Sequence, residues 1–171
     1  MTREGQTGKD GRANVLTIYY SYSGNTRKIT DEIHRTVGGD IVEIQPLEPY
    51  PDNYNAVVEQ AKRELSSGCK PELKTAAGDL SSYDRLFVGS PNWWHTIAPP
   101  VITFLSEADL SEKTIIPFVT HGGGGLGRSA ADIAALCPKA KILESLVVFG
   151  GDVPSAKRWL SVHWPTQYRT P

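Results

Sequence analysis

A chain of 171 residues with 39% hydrophobic and 22% charged residues can bury one core of ordinary size. Its net charge of −1 offers no basic surface for nucleic acid and no polybasic membrane anchor. No apolar run approaches the roughly 18 residues of a membrane-spanning helix. Cys69 and Cys137 form no C-x-x-C pattern, which favours a reduced, cytoplasmic protein.

The chain begins with MTREGQTGKDGRAN, a polar segment without the apolar h-region of a signal peptide. We expect residues 1–13 to be a flexible tail and residues 14–171 to form a single domain. Residues 15–21 predict a strand from their β-branched and aromatic content. A helix is predicted over residues 26–37, because Ile29, Ile33 and Val37 recur at helical spacing and two glycines follow them.

Strands and helices alternate over the rest of the chain. β-branched and aromatic runs predict the strands, and apolar residues at helical spacing predict the helices. The predicted strands cover residues 40–44, 85–90, 114–120 and 141–150, and the predicted helices cover residues 54–65, 98–106, 129–136 and 154–164. Pro117 falls inside one strand and removes a backbone donor there, so we expect a β-bulge at this position.

This alternation predicts an α/β fold in which helices cover both faces of a doubly wound parallel sheet. Most of the strands are nearly continuous apolar runs, as strands buried on both faces are. Ligands bind to such sheets outside the carboxyl ends of the strands, where the strand order reverses. Three of these ends have unusual residues, and they lie at positions 21–26, 90–95 and 120–127.

The first of these loops joins hydroxyl and amide side chains to the start of a helix. Free backbone N–H groups and the helix dipole favour an anion there, and Ser21, Ser23, Asn25 and Thr26 add neutral donors. Four or five hydrogen bonds of about 1.5–3 kcal/mol each would hold a phosphate without a lysine. The G-x-x-x-x-G-K-[ST] pattern of nucleoside triphosphatases is absent. The alternative is an ordinary turn in which Ser23 or Asn25 caps the helix.

The second loop, SPNWWHT, contains two adjacent tryptophans that are costly to leave exposed. Packing of one or both against the protein would explain them. We expect one to pack in this way and the other to stack on a flat aromatic ligand, which adds about 0.5–1.5 kcal/mol beyond the area it buries.

The third loop matches the dinucleotide-binding pattern G-x-G-x-x-G through Gly122, Gly124 and Gly127. Four consecutive glycines match such a pattern easily, and this loop follows the fourth strand instead of the first. The expected acidic residue would be Glu144, which lies inside a strand. We therefore reject a dinucleotide site and expect these glycines to bring backbone N–H groups close to a planar ligand.

Other chemistries have little support in the sequence. The histidines show no metal-ligand spacing with one another or with cysteine, and no G-x-S-x-G motif is present. We therefore predict no metal site and assign no catalytic residue. His95 and His121 keep a functional interest because they lie in the candidate ligand loops.

Five stretches, taken together and in order, resemble the compact single-domain flavodoxin-like flavoproteins of bacteria. They are YYSYSGNTRKI, EPYPDNYNAVVEQAKREL, DRLFVGSPNWWHTIAPPVITFL, PFVTHGGGGLGRSAADIAALCP and VVFGGDV, and they cover most of residues 15–153. The resemblance implies a five-stranded parallel sheet in the order 2-1-3-4-5 and FMN as the cofactor. The flavin would carry out the redox chemistry, and the protein would bind and tune it.

The resemblance also implies a role for each loop. The FMN phosphate would be held by Ser21, Ser23, Gly24, Asn25 and Thr26. One side of the isoalloxazine ring would be flanked by Pro91, Asn92, Trp93, Trp94 and His95. The other side would be lined by Thr120, His121, Gly122, Gly123, Gly124 and Gly125. Asn92 is the only residue of its loop that tolerates a positive φ well, so we expect any backbone adjustment beside the ring to use the Asn92–Trp93 peptide.

The near-neutral charge departs from electron-carrier flavodoxins, which are strongly acidic and dock basic partners. The leading hypothesis is an FMN protein that transfers electrons or reduces a small acceptor, with no nucleic-acid or membrane partner. One alternative is an NAD(P)H-dependent quinone or nitro-compound reductase, and another is a non-catalytic FMN-binding sensor or scaffold. The sequence identifies neither the electron donor, the acceptor nor the oligomeric state.

Overall fold

The computed structural model describes residues 14–164. The predicted flexible tail at residues 1–13 and the last residues of the predicted domain, 165–171, lie outside the described part of the chain. None of the helices in residues 14–164 combines the length and hydropathy that a bilayer crossing requires.

Strands and helices alternate as predicted. The strands are β1 (Val15–Tyr19), β2 (Asp40–Glu43), β3 (Arg85–Trp93), β4 (Thr96–Ile97), β5 (Thr114–His121), β6 (Lys141–Ile142) and β7 (Leu146–Phe149). The helices are α1 (Asn25–Val37), α2 (Tyr54–Ser67), α3 (Pro99–Glu107), α4 (Ser129–Leu136) and α5 (Val153–His163).

Parallel pairing gives the strand order β2-β1-β3-β5, after which β6 and β7 both pair with β5. Since β6 and β7 together form the fifth position of the sheet, the predicted α/β fold and the order 2-1-3-4-5 are confirmed. The short strand β4 is an addition that pairs antiparallel with the end of β3. The order reverses beside β1, which pairs with β2 on one side and β3 on the other.

Helices cover both faces of the sheet because its strands alternate their side chains between two apolar layers. Leu16 and Ile18 of β1 belong to the layer that also buries Val57 of α2. Val15 of β1 belongs to the other layer, together with Ile33 of α1. The helices α2, α3 and α4 contribute buried side chains to the first layer, and α1 and α5 contribute them to the second.

The expected bulge at Pro117 was wrong. β5 keeps continuous register with β3, in which Val88 pairs with Pro117 and Gly89 with Phe118. Ile115 accepts a hydrogen bond from Leu143 on the opposite edge, so the missing N–H of Pro117 faces that same edge. The neighbouring strand is interrupted there, between β6 and β7. The chain therefore accommodates the proline by breaking the partner strand and not by bulging its own.

The second loop is a β-hairpin instead of an irregular loop. β3 continues through Trp93, and Asn92 pairs with Ile97 of β4. The turn consists of Trp94 and His95, with φ of 53° and 69°. A two-residue hairpin turn of this kind needs positive φ at both positions. Asn92 lies in the paired strand, and Trp94 and His95 hold the left-handed conformations of this turn. The adjustment at the Asn92–Trp93 peptide stays a prediction.

Candidate functional site

A cleft of about 570 Å³ lies at the carboxyl ends of β1, β3, β5 and β7. This is the edge of the sheet at which doubly wound proteins bind ligands. The lining has no Asp, Glu, Lys or Arg among the described residues. Its members are Tyr22, Ser23, Asn25, Tyr54, Val57, Val58, Ala61, Pro91, Asn92, Trp93, Trp94, His95, Thr120, His121, Gly122, Gly124, Phe149 and Gly150.

The loop after β1 opens the cleft with the start of α1. Gly24 is the N-cap residue, with φ of 98° and no capping side chain of its own, and the first turn of α1 contains no acidic residue. Ser21 Oγ accepts a hydrogen bond from the Arg27 N–H at 3.2 Å. Ser23 and Asn25 do not cap the helix, so the ordinary-turn alternative was wrong in its choice of residue. The positive end of α1 is left without a neutralising carboxylate.

Arg27 is directed away from the cleft. Its Nε donates to the Tyr19 hydroxyl at 3.3 Å, and its guanidinium forms an ion pair with Glu43 at the end of β2. The hydrogen bond to Tyr19 and then the contact with Glu43 raise the pKa of Arg27 above its usual value. The cation nearest the loop in sequence is therefore engaged elsewhere, and the side chains of this loop that line the cleft beside the start of α1, Ser23 and Asn25, are neutral.

Thr26 and Thr120 join the first and third loops. Their hydroxyl oxygens lie 2.8 Å apart, and both side chains are buried. Thr120 also lines the cleft, whereas Thr26 does not. If Thr26 donates to Thr120, the Thr120 hydroxyl keeps its own hydrogen for a ligand.

The two tryptophans have different environments. Trp93 packs edge-on against Tyr20, Tyr50 and Tyr22 with ring centroids 5.6, 5.1 and 5.7 Å apart. This arrangement confirms that one tryptophan packs against the protein. Because Trp93 also lines the cleft, its ring is a fixed wall and not a mobile cover.

Trp94 contacts α2 and is 40% exposed. Its indole N–H donates to the Val58 carbonyl at 2.9 Å, and the Lys62 ammonium lies 5.2 Å from the ring centroid. These two contacts hold the side chain at the edge of the cleft, where it frames the opening.

The glycine-rich loop after β5 is tied to the hairpin. Asn92 Nδ2 donates to the Gly125 carbonyl at 2.7 Å, and the Arg128 N–H donates to the His95 carbonyl at 2.6 Å. A Cβ at Gly127 would lie 2.3 Å from that carbonyl oxygen, so only glycine permits this approach. Gly127 therefore serves the packing of this loop against the hairpin. The expected approach of the other glycines to a planar ligand stays a prediction.

His121 ends β5 and lines the cleft. Its Nδ1 accepts a hydrogen bond from the Gly123 N–H at 3.0 Å, which places the hydrogen of the neutral ring on Nε2. The ring stands edge-on to Phe149 with centroids 5.6 Å apart. Among residues 14–164, no group of three or more His, Cys, Asp or Glu side chains could hold a metal ion.

The structure brings all three predicted loops to one cleft. The residues in its lining are Ser23, Asn25, Pro91, Asn92, Trp93, Trp94, His95, Thr120, His121, Gly122 and Gly124. The predicted residues beside the lining are Ser21, Gly24, Thr26, Gly123 and Gly125. Their assignment to FMN stays a prediction.

Sequence reasoning missed two parts of the lining. Phe149 ends β7 and Gly150 follows it, at another carboxyl end on the same edge, and the rule that found the other loops would have found them. The other part is a face of α2 formed by Tyr54, Val58 and its neighbours. Its signal was the adjacent pair of Val57 and Val58, which makes the apolar stripe wider than one buried face needs.

The fold is a doubly wound parallel sheet with a cleft, free of Asp, Glu, Lys and Arg in its described lining, at the switch point. The chain belongs to the flavodoxin family, whose model matches residues 14–161. A comparison with curated proteins found no match.

Solved structures agree with this assignment. A protein of Bacteroides eggerthii DSM 20697, provisionally described as a flavoprotein, is 27% identical, with a TM-score of 0.77 over 91% of this chain and 100% of that chain. A protein of Bacteroides uniformis ATCC 8492 with the same description is 27% identical, with a TM-score of 0.78 over 88% and 99%. A flavoprotein of Lactobacillus acidophilus NCFM, solved in complex with FMN, shares the fold at 21% identity, with a TM-score of 0.70 over 86% and 98%.

Proposed function

We propose that this protein binds FMN and uses it to transfer electrons to a small acceptor. The observation that carries the proposal is the start of α1, whose first turn has no acidic residue and borders a cleft without charged side chains at the switch point of the sheet. FMN, when bound, supplies the redox chemistry. The protein supplies the position and the surroundings of the flavin.

The donor set fits a phosphate monoester. Backbone N–H groups at the start of α1 have no acceptor within the helix, and Ser21, Ser23 and Asn25 add polar side chains beside them. Because Ser21 Oγ already accepts from the Arg27 N–H, its own hydrogen is free to be donated. The pairing of Arg27 with Glu43 leaves this loop neutral, as in the predicted mode of binding.

The rest of the cleft fits a flat ring system. Trp93 and the rest of the hairpin line one part of the cleft, and the glycine-rich loop lines another. The hydrogen bond from Asn92 to Gly125 joins these two parts of the lining. The FMN complex of the Lactobacillus acidophilus flavoprotein, which has the same fold, supports this placement by analogy.

Reduction of a small acceptor is favoured over docking of a redox protein. The chain carries a net charge of −1, so it lacks the field that steers a basic partner. Trp94 is held aside against α2, which leaves the cleft open to a small molecule. The same openness supports the NAD(P)H-dependent quinone or nitro-compound reductase as the second candidate.

Titration of the apoprotein with FMN, FAD and riboflavin tests cofactor binding. We expect FMN to bind most tightly, because riboflavin lacks the terminal phosphate and FAD presents a diphosphate instead. Anaerobic addition of NADH or NADPH to the FMN-loaded protein then separates the two candidates, since only the reductase bleaches the flavin absorbance within seconds. An apoprotein that takes up none of the three flavins would overturn the proposal.

A further inference from the structure

The cleft has an apolar side that belongs neither to the loop after β1 nor to the glycine-rich loop after β5. It consists of Tyr54, Val57, Val58 and Ala61 of α2, together with Trp94 of the hairpin turn. We call these five residues the α2 wall. Val57 and Ala61 are buried and form its base, and Val58 is half-buried beside them.

Two large aromatic side chains remain exposed at the edge of the α2 wall. Tyr54 is 75% exposed, and Trp94 is 40% exposed. Exposed aromatic surface beside a concave apolar base is typical of a ligand site. Trp94 is already held by its hydrogen bond to the Val58 carbonyl and its contact with Lys62. A ligand that binds the α2 wall would therefore pay little conformational entropy to immobilise this side chain.

Charge selects the class of ligand. No Asp, Glu, Lys or Arg is among the described residues that line the cleft, and the ammonium of Lys62 is engaged with the Trp94 ring. A charged ligand would lose its hydration against the α2 wall, and no charged side chain of the described lining would compensate for that loss. An uncharged planar ring would lose little hydration and would gain aromatic contact.

We propose that the α2 wall is a second-substrate subsite that takes an uncharged planar aromatic molecule beside the flavin. The proposal rests on the proposed function, because the molecule would be the acceptor that the flavin reduces. The fold alone does not identify the acceptor; the α2 wall favours an uncharged aromatic molecule over a negatively charged one.

Equilibrium dialysis with redox-inert probes tests the subsite. 2-Naphthalenemethanol carries the planar ring without charge, and 2-naphthalenesulfonate and 2-naphthylmethylammonium carry the same ring with each sign of charge. We expect the FMN-loaded protein to bind the alcohol at least about fivefold more tightly than either ion. Tyr54→Ala should weaken the alcohol about three- to tenfold, whereas Val162→Ala, an exposed apolar truncation on α5, should leave it unchanged.

The outcomes separate the subsite from the cofactor. If the alcohol binds only the apoprotein and FMN displaces it, the α2 wall holds the flavin ring itself and the proposal is overturned. Equal or tighter binding of either ion would also overturn it. If the protein takes up no FMN but binds the alcohol in a Tyr54-dependent way, the aromatic site at the α2 wall stands, and its role as a second-substrate subsite fails together with the proposed function.

Discussion

The hydroxyl oxygens of Thr26 and Thr120 lie 2.8 Å apart, although 94 positions of sequence separate the two residues. The pair joins the start of α1 to the end of β5, so the loop after β1 and the loop after β5 are held in a fixed position relative to each other. Both side chains are buried, and a buried hydroxyl that loses its partner costs about 1–3 kcal/mol.

This pair predicts a hierarchy of effects on FMN affinity. Thr120→Val should weaken FMN binding by about 1–3 kcal/mol, because Thr120 lines the cleft and its hydroxyl hydrogen is available to a ligand when Thr26 is the donor of the pair. Thr26→Val should weaken it through Thr120, so the double variant should bind FMN no worse than Thr120→Val alone. Thr103→Val, a buried threonine of α3 outside the lining, is the control for general loosening. Fully additive losses in titrations of the variants would contradict the account.

Arg27 should contribute little to FMN binding. Its guanidinium is engaged with Tyr19 and Glu43. Arg27→Ala should therefore change the free energy of FMN binding by less than about 0.5 kcal/mol. Ser21→Ala should cost about 1–3 kcal/mol, because it removes both a donor and the acceptor of the Arg27 N–H. Flavin fluorescence titration of the two variants shows whether neutral donors or a cationic side chain hold the phosphate. A larger loss for Arg27→Ala would show that a direct cation holds it.

Gly127→Ala should destabilise the fold and loosen the contact between the hairpin and the glycine-rich loop. Gly127 has φ of 57°, and an added Cβ would lie 2.3 Å from the His95 carbonyl oxygen. The left-handed conformation alone costs alanine about 1–2 kcal/mol, and the collision adds to it. Gly122→Ala is the matched control, because its Cβ would meet nothing within 4 Å. Urea unfolding measures both, and equal stability of the two variants would refute the packing role of Gly127.

The buried thiol of Cys137 predicts a loss of stability in alkaline solution. Burial raises the pKa of the Cys137 thiol from the ordinary 9.0 of cysteine to about 11. Between these two values the unfolded chain releases the thiol proton while the folded chain keeps it, so the free energy of unfolding falls as pH rises.

Urea unfolding between pH 8.5 and 10 measures this slope. Cys137→Ala should flatten it, and Cys69→Ala should leave it unchanged because Cys69 is exposed. The window ends at pH 10 because burial also raises the pKa values of Tyr20 and Tyr50 above their usual range. At higher pH the unfolded chain would release these two phenol protons while the folded chain keeps them, and this would add to the slope. A slope that persists in Cys137→Ala would contradict the assignment.

The sequence predicted the alternating fold and the three loops because both depend on local patterns. Apolar periodicity identifies the elements, and polar residues stand out where buried strands end. The hairpin at the end of β3 was missed because its turn residues, Trp94 and His95, are not the glycine and asparagine that signal such turns. This turn is held by residues distant in sequence. Trp94 donates to the carbonyl of Val58 in α2, and His95 accepts from the N–H of Arg128, the residue before α4.

The interruption between β6 and β7 could not be located either. Its cause is Pro117 on the neighbouring strand, so it depends on pairing and not on residues 143–145 themselves. The α2 wall was missed for a related reason. Its side chains read as one broad helix face, and only the tertiary structure shows which of them line the cleft and which fill the core.

The most direct test of the central claim is the ratio of the riboflavin and FMN dissociation constants, measured for the wild type and for Asn25→Asp. Asn25 lines the cleft in the first turn of α1, so the change places a negative charge in the neutral phosphate site with almost no change of shape. We expect the wild type to prefer FMN by about 100-fold or more, from at least two charge-assisted hydrogen bonds. Asn25→Asp should reduce FMN affinity at least about tenfold and leave riboflavin affinity nearly unchanged. Equal affinity of the wild type for the two flavins, or an equal loss for both in Asn25→Asp, would contradict a phosphate site at the start of α1.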